Sequence, residues 1–428
     1  MSPEPHLLTT DEVAARLGVK PTTVYAYVSR GLLPAVRNAR GKGSLFARAD
    51  VDAFVAGRRR TTTPGIQTGI TLIKDGGLYY RGVDAIELAR RSTFEAVATL
   101  LWTGVLEHVD LVEKPILTAL AQATIAPLPA DARTTDRLRV IVAAAAADDP
   151  LRFDTSATAV ITTGRTMLAT MIGALPRRAR SRHQAAATAG NGKSPTAGNG
   201  KSRAAGDGES PLAAALWTRL TTRRPSTDDG RLLNAALILL ADHDIAASTL
   251  AARIAASTRA NPYAVVSAGL AALDGPFHGA ASGLAYSLLH EAMTSGDPVG
   301  TIAARLRNDG LLPGFGHAFY PDGDPRASTL LEMLGDGLAK ESALRVSDAV
   351  EERSGTRPNI DFALAALALQ YDMPPDAGEA IFAVARTAGW LAHALEEYAN
   401  RPSRFRPVGQ YSGRTPPARH PAGRTPPA

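Results

Sequence analysis

Most of this 428-residue chain consists of apolar stretches with helical spacing, separated by glycine and proline. The pattern is clearest in four stretches that place Ala, Leu, Ile and Val at helical intervals, at 232–241, 249–257, 264–273 and 362–369. Alternating strand patterns are scarce apart from residues 69–80. We therefore predict a mainly α-helical body, with a core large enough for more than one domain.

Composition excludes several classes of function. The chain has no cysteine, so it has no disulfide, no thiolate metal site and no thiol nucleophile. Its first ten residues contain Pro3, Pro5 and His6 where a signal peptide would need an apolar run. No uninterrupted apolar stretch approaches the roughly 20 residues that span a bilayer. We expect a cytoplasmic protein with no membrane association.

Positive charge is concentrated in two segments. Residues 1–60 carry ten Lys and Arg against five Asp and Glu, and residues 176–210 carry seven against two. The rest of the chain is weakly acidic, although the whole chain has a net charge of +6. The basic character therefore belongs to two appendages of the helical body.

The first appendage has the pattern of a helix-turn-helix unit. Thr10 begins an amphipathic stretch, Gly18 interrupts it, and Pro21 begins a second stretch that ends at Gly31. Residues 35–46 resemble the wing of MerR-like and excisionase-like DNA-binding domains.

Such a unit has two interpretations. If it binds DNA, Arg37, Arg40 and Lys42 of the wing would contact phosphates. Five residues would lie on or beside the recognition helix: Lys20, Thr22, Thr23, Tyr25 and Tyr27. If it does not bind DNA, the same small fold packs against the body or a protein partner. Both interpretations remain open at this point.

The second appendage contains a duplicated sequence. Residues 189–194 recur as residues 197–202, and each copy ends in Gly-Lys-Ser. A phosphate-binding loop would need glycine where Ala187 and Pro195 stand, so we predict a flexible basic insert over 176–210. Residues 413–418 recur as 423–428, and we predict a disordered tail over 414–428.

Two histidines and an aspartate form a candidate catalytic set. His278 and His317 each lie in a glycine-rich segment, and Asp361 precedes an apolar helical stretch. A carboxylate can remove a proton from carbon, one imidazole can stabilise an enol oxygen, and the other can polarise a carbonyl. Taken singly, the histidines also suit ordinary turns, and the aspartate suits a helix start.

These segments resemble, in the same order, segments of the citrate synthase family. Further segments extend the resemblance from about residue 62 to 413: residues 75–84, 242–249, 324–326, 385–390 and 406–413. Departures from the family pattern occur at Asp244, Ala246, Ala318 and Pro321.

The resemblance implies a two-domain citrate-synthase-like helical fold, preceded by the small winged helix-turn-helix domain of residues 1–60. A large domain would comprise 62–277 and 387–413, and a small domain, 278–386, would close over substrate. The family also implies a homodimer in which Arg406 of each chain reaches the neighbouring site.

The resemblance further implies the condensation of acetyl-CoA with oxaloacetate, followed by hydrolysis of citryl-CoA. Asp361 would be the base, His278 would hydrogen-bond the thioester oxygen, and His317 would polarise the keto group of oxaloacetate. The carboxylates of oxaloacetate would be bound by His243, Arg326, Arg386 and Arg406. Neither a metal nor a separate cofactor is expected, since the acyl-CoA is a substrate.

Three alternatives remain open. A 2-methylcitrate synthase would use propionyl-CoA through the same residues, although we expect acetyl-CoA to be the better substrate. A DNA-binding regulator could use the body as a metabolite sensor, and a noncatalytic subunit could serve a separate citrate synthase. The presence of Asp361 favours an enzyme, because a sensor needs no base.

Overall fold

A computed structural model of the chain describes residues 66–178, 210–309 and 312–406 continuously. In the N-terminal segment it describes residues 7–17, 35–37 and 44–48, and single positions between 19 and 51. The chain divides into two compact units, residues 1–67 and 68–428. Most of the basic insert and the whole tail lie outside the described residues, and the division into large and small domains stays a prediction.

The first unit combines a short helix with an antiparallel sheet. Strands β1 (Leu7–Thr9), β2 (Val36–Arg37) and β3 (Ser44–Ala47) lie in the order β1-β3-β2. Helix α1 (Thr10–Leu17) begins where the sequence predicts, because Glu12 accepts a hydrogen bond of 2.8 Å from the N–H of Thr9. A small core consists of Val13, Ala14, Val24, Leu33, Phe46 and Val51.

Strand β2 and most of strand β3 lie within residues 35–46, the segment predicted to be the wing, and their antiparallel pairing agrees with that prediction. Arg40, Lys42 and the five candidate residues of the recognition helix lie outside the described residues. The DNA interpretation therefore stays a prediction.

The second unit is mainly helical, as the sequence predicts. It opens with a three-stranded antiparallel sheet of β4 (Thr71–Lys74), β5 (Gly77–Tyr80) and β6 (Val83–Asp84), where the alternating pattern lies. The helices that follow are α2 Ala85–Arg91, α3 Phe94–Thr103, α4 Pro115–Ile125, α5 Thr134–Asp148, α6 Ala157–Ala174, α7 Pro211–Leu220, α8 Thr227–Leu240, α9 Ala247–Ser257, α10 Pro262–Leu273, α11 Ala281–Ser295, α12 Pro298–Asp309, α13 Pro325–Met333, α14 Leu338–Ser354, α15 Ile360–Gln370 and α16 Ala377–Ala399.

Several helices begin at residues whose side chains satisfy free backbone N–H groups. Asp84 accepts from two N–H groups at the start of α2, and Ser226 forms a reciprocal capping box with Asp229 at α8. Asn261 caps α10, which has Pro262 at its first position. The polar and proline breaks in the sequence thus correspond to real helix ends.

Helix α16 lies at the centre of the second unit and is buried along most of its length. It packs against α9 and α10, and also against α3, α6 and α8. Helix α11 packs against α15, α12 and α14. The candidate site lies where these two groups of helices meet. Among the described helices, none has the length and apolar character needed to cross a membrane.

Candidate active site

Six of the seven predicted site residues line one cavity of about 720 Å³. The six are His243, His278, His317, Arg326, Asp361 and Arg386. The cavity has the size of an ordinary small-molecule site. Its polar groups come from loops and helices that are far apart in the sequence, and the fold brings them together around this cavity.

The glycine-rich loop before His317 is fixed to the segment before Asp361. Gly314 and Gly316 have φ angles of 86° and 75°, in the left-handed region that favours glycine. The N–H of Asn359 donates to Gly314 O at 2.9 Å, and Asn359 Nδ2 donates to Gly316 O at 3.0 Å. Asn359 thereby holds the loop of His317 beside the start of α15, where Asp361 lies.

Asp361 lies in the first turn of α15, and Asn359 is the cap that accepts its N–H at 3.0 Å. The Oδ1 atom of Asp361 is buried and has no hydrogen-bond partner among the described residues. Burial raises the pKa of Asp361 to about 7. An unpaired carboxyl with this pKa is suited to removing and returning a proton near neutrality. Asp361 thus lies at a helix start, as the alternative interpretation expects, and its role as a base stays a prediction.

Arg326 is buried and held by a bidentate ion pair. Its Nε and Nη2 donate to the two carboxylate oxygens of Asp324 at 2.9 and 2.8 Å. Although burial alone would lower the pKa of Arg326, the ion pair with Asp324 raises it. Asp324 also accepts the N–H of Ile360 at 3.0 Å. Asp324 therefore fixes both Arg326 and the helix start that carries Asp361, a role that the sequence motif alone did not reveal.

Arg386 is the second buried guanidinium of the cavity. Its Nε donates to Leu240 O at 2.8 Å, whereas Nη1 is buried without a partner in the described chain. Burial lowers the pKa of Arg386 to about 10, so the group remains charged at neutral pH. A buried cation with a free donor is suited to binding a carboxylate.

Hydrogen bonds fix the tautomer of His278. Its Nε2 accepts the N–H of Ser248 at 3.4 Å and lies 2.7 Å from the Ser248 hydroxyl, which accepts from Trp390 Nε1 at 3.2 Å. Because a backbone N–H can only donate, Nε2 is the acceptor and Nδ1 carries the proton. Burial, followed by the charge of Arg386, lowers the pKa of His278 to about 4. His278 is thus a neutral imidazole with an Nδ1–H donor.

If the Ser248 hydroxyl orients His278, its removal should slow any reaction in which this imidazole is the hydrogen-bond donor. Replacing Ser248 with Ala retains the backbone N–H, so we expect kcat to fall about tenfold, the effect of one hydrogen bond. KM for a substrate bound by the buried arginines should change less than about twofold, as measured by steady-state kinetics. Ser347→Ala, which removes a buried hydroxyl on α14, is the matched control. An unchanged kcat in Ser248→Ala would exclude this positioning role.

Hydrogen bonding also fixes the tautomer of His317, which is the opposite of the tautomer of His278. Its Nδ1 accepts the N–H of Phe319 at 3.1 Å, which leaves Nε2 as the protonated donor. Burial and the charge of Arg326 lower the pKa of His317, so the ring is neutral. Its ring centroid lies 5.2 Å from that of His243.

His243 is almost fully buried, and its Nε2 lies 3.0 Å from the Tyr320 hydroxyl. Burial and the charges of Arg326 and Arg386 lower the pKa of His243 well below the ordinary range. Its neighbour Asp242 is held by His393, whose Nε2 lies 3.2 Å from Asp242 Oδ2. These contacts indicate that His243 is a neutral hydrogen-bonding group.

Arg406 and Ala246 differ from the positions described above. Arg406 is exposed and does not line the cavity of its own chain in the described residues, so its contribution to a neighbouring site stays a prediction. Ala246 lines the cavity and occupies the cap position of α9, where no side chain accepts a hydrogen bond. The departure from the family pattern therefore removes a helix cap as well as a polar group.

The arrangement combines a basic carboxylate, two oriented neutral imidazole donors and two buried guanidinium groups. These groups can remove a proton from carbon, stabilise the resulting enol oxygen, polarise a second carbonyl and bind carboxylates. The sequence identified the six residues that meet in this cavity, and their catalytic and binding roles stay predictions. It did not reveal the supporting contacts of Asp324, Asn359 and Trp390.

Comparisons with known proteins agree with this arrangement. A family model described as the C-terminal domain of citrate synthase matches residues 60–408, and a helix-turn-helix domain model matches residues 7–59. The chain is 36% identical over 201 residues to citrate synthase 2 of Bacillus subtilis, a match that covers 45% of this chain and only 54% of that relative. It is 29% identical over 354 residues to 2-methylcitrate synthase 2 of Corynebacterium glutamicum, covering 78% and 88% of the two chains.

Solved structures show the same fold. Citrate synthase of Pyrobaculum aerophilum has a TM-score of 0.63 and 24% identity, covering 91% of this chain and 97% of that one. Citrate synthase of Thermoplasma acidophilum has a TM-score of 0.62 and 23% identity, covering 84% and 96%. The latter structure is a ternary complex with carboxymethyl coenzyme A and oxaloacetate.

Proposed function

The chain belongs to the citrate synthase family of condensing acyltransferases, and from this premise we propose that it condenses acetyl-CoA with oxaloacetate. The observation that carries the proposal is Asp361, an unpaired carboxyl with a pKa of about 7 in a cavity with two oriented neutral histidines. The reaction uses acyl-CoA as a substrate and needs no separate cofactor.

In the proposed reaction, Asp361 removes a proton from the methyl group of acetyl-CoA. The Nδ1–H of His278 hydrogen-bonds the thioester oxygen and stabilises the negative charge that develops there, so that no free enolate is formed. The nucleophilic carbon attacks the keto carbon of oxaloacetate, and the keto oxygen takes the Nε2 proton of His317 to become a hydroxyl. Asp361 then loses its proton to solvent, and solvent reprotonates His317. Water then hydrolyses citryl-CoA to citrate and CoA.

Oxaloacetate is proposed to lie between the buried arginines and His243. The free Nη1 of Arg386 would bind one carboxylate, and Arg326, held rigid by Asp324, would bind another. A guanidinium that is already oriented loses little conformational entropy on binding. Closure of helices around the cavity would exclude water until the carbon–carbon bond has formed.

A continuous assay of free CoA with both acetyl-CoA and propionyl-CoA tests this function. With saturating oxaloacetate, we expect kcat/KM to be higher for acetyl-CoA, and CoA release to require oxaloacetate. Since one methylene in an apolar pocket is worth about 1–3 kcal/mol, activity on both thioesters is expected. A clear preference for propionyl-CoA would overturn the substrate assignment, and no CoA release from either would overturn the function.

A 2-methylcitrate synthase is the second candidate. Leu284, Leu312 and Phe382 provide an apolar wall to the cavity that could accept the extra methyl group of propionyl-CoA. The same assay separates the two candidates.

We also propose a homodimer in which Arg406 completes the site of the neighbouring chain, since Arg406 is exposed in its own chain. Arg406→Ala and Asp361→Asn proteins should each be inactive alone. After mixing under conditions that exchange subunits, heterodimers should regain activity at one of their two sites. If heterodimers are shown by native mass spectrometry and remain inactive, Arg406 does not act in trans.

For the N-terminal unit, we propose binding to duplex DNA through phosphate contacts. Affinity should fall steeply as salt rises from low to physiological concentration, because bound cations are released from the DNA. Changing Arg37, Arg40 and Lys42 to Ala should weaken binding on every sequence, as measured by fluorescence anisotropy. Absence of binding at low salt, or binding that survives the triple change, would favour a packing domain.

A further inference from the structure

Two adjoining cavities lie apart from the catalytic cavity and share no lining residue with it. Their volumes are about 590 and 370 Å³. They share part of their wall: Arg137, Leu175, Pro176, Arg177 and Arg219. These residues come from α5, from the segment after α6 and from α7. Three arginines are thus common to both cavities, and Arg133 and Arg178 also line the larger one.

The three shared arginines lack the carboxylate partners that neighbouring arginines have. Arg133 pairs with Asp274 at 2.5 Å, and Arg139 pairs with the same carboxylate at 3.1 Å. In the described part of the chain, by contrast, neither Arg137, Arg177 nor Arg219 forms an ion pair.

Their hydrogen bonds use only part of their donor capacity. Arg137 donates to Pro129 O at 2.8 Å, and Arg219 donates to Gly173 O at 3.3 Å. Arg177 is exposed and has no hydrogen-bond partner for its side chain within the described ranges. Contacts with backbone carbonyl groups therefore explain part of the arrangement, but most N–H donors of these side chains have no acceptor among the described residues.

The charges repel one another across the cavity. Burial and the charge of Arg177 lower the pKa of Arg219, and the Nε of Arg219 is buried without a partner in the described chain. No carboxylate among the described residues lines the smaller cavity. In the larger cavity, Glu379 lies 3.6 Å from Arg133, and Asp376 accepts the N–H of Thr134 at 2.6 Å. Those two carboxylates therefore already have partners. Asp131 is the third carboxylate of the larger cavity; it is exposed and forms no ion pair in the described residues.

We propose that Arg137, Arg177 and Arg219 form a second binding site, for a small ligand that carries phosphate or carboxylate oxyanions. Guanidinium groups match both anions in bidentate geometry, and a concave wall concentrates their field. Ile125, Leu175 and Pro176 line the same region and can contact an apolar part of the ligand. The cavity volumes correspond to a ligand of nucleotide or tricarboxylate size.

Calorimetric titration of the full chain with pyrophosphate and, separately, with tricarballylate tests this site. Both titrations contain saturating oxaloacetate to occupy the catalytic cavity, and a near-physiological salt concentration to suppress nonspecific binding. Binding of pyrophosphate identifies a phosphate ligand, and binding of tricarballylate alone identifies a carboxylate ligand.

Arg219→Gln and Arg177→Gln should each weaken binding about tenfold or more, the effect of losing one charged hydrogen bond. Arg177 is exposed, so its variant should fold normally and preserves the test if Arg219→Gln is unstable. The matched control is Arg345→Gln, an exposed arginine on α14 that lines neither cavity. Absence of heat with both anions, binding unchanged in both variants, or equal weakening by the control would each overturn the proposal.

Discussion

Replacing Asp361 with Asn is expected to lower kcat by about 10³-fold or more, because the side chain is the only proposed base for the methyl proton of acetyl-CoA. Oxaloacetate affinity, measured by calorimetry, should change by no more than a few fold. Asn has nearly the same shape as Asp, and Asp361 makes no hydrogen bond through its buried Oδ1 in the described chain. An equal loss of turnover and of oxaloacetate binding would show that the carboxylate is structural.

The Asp361→Asn variant should be more stable than wild type at alkaline pH. Burial raises the pKa of Asp361 to about 7 in the folded chain, whereas an unfolded Asp titrates near pH ~4. Between these values the unfolded chain has lost the proton and the folded chain retains it, so wild-type stability falls as pH rises and stays low above about 7.

The amide side chain of the Asp361→Asn variant cannot ionise, so the variant should lack this fall. From pH ~5 to pH ~8.5, its free energy of unfolding should rise relative to wild type by about 2–3 kcal/mol. Urea denaturation of both proteins at the two pH values measures this difference in the free energy of unfolding. A parallel pH dependence in both proteins would mean that the carboxyl titrates normally in the folded state.

Replacing Arg386 with Leu is expected to weaken oxaloacetate binding by about 100-fold, since it removes a buried cation that would pair with a substrate carboxylate. The KM for acetyl-CoA should change far less. Stability should not fall, because burial already disfavours the charge of Arg386, whose pKa is lowered to about 10.

Arg90→Leu is the matched control, because Arg90 is about half exposed and pairs with Glu332 at 3.0 Å outside the cavity. Isothermal titration with oxaloacetate compares the variants. An Arg386→Leu protein that binds oxaloacetate as tightly as the control would remove Arg386 from the substrate site.

The sequence predicted the helical fold, and the segments that carry His278, His317 and Asp361, because their signals are local. Helical spacing, capping residues and the glycines before His317 are visible without tertiary contacts, and Gly314 and Gly316 do have the left-handed φ angles that such a loop requires. The family resemblance then supplied the roles, since His278 or Asp361 taken singly also suits a turn or a helix start.

The supporting contacts could not be predicted, because they join residues that are distant in the sequence. Trp390 reaches Ser248 across 142 positions, and Ser248 reaches His278 across 30. Asp324 accepts the N–H of Ile360 across 36 positions. Nothing in the local sequence distinguishes these serine and aspartate residues from ordinary capping residues, so their role depends on the folded packing.

The most direct test of the proposed chemistry follows the methyl carbon of acetyl-CoA. Wild-type protein is incubated with oxaloacetate and acetyl-CoA labelled with ¹³C in the methyl group, and the products are observed by NMR. The label should move into a methylene carbon of citrate with wild type and remain in acetyl-CoA with Asp361→Asn. Wild-type protein that binds both substrates yet forms no labelled citrate, or an Asp361→Asn protein that forms it at the wild-type rate, would contradict the proposed mechanism.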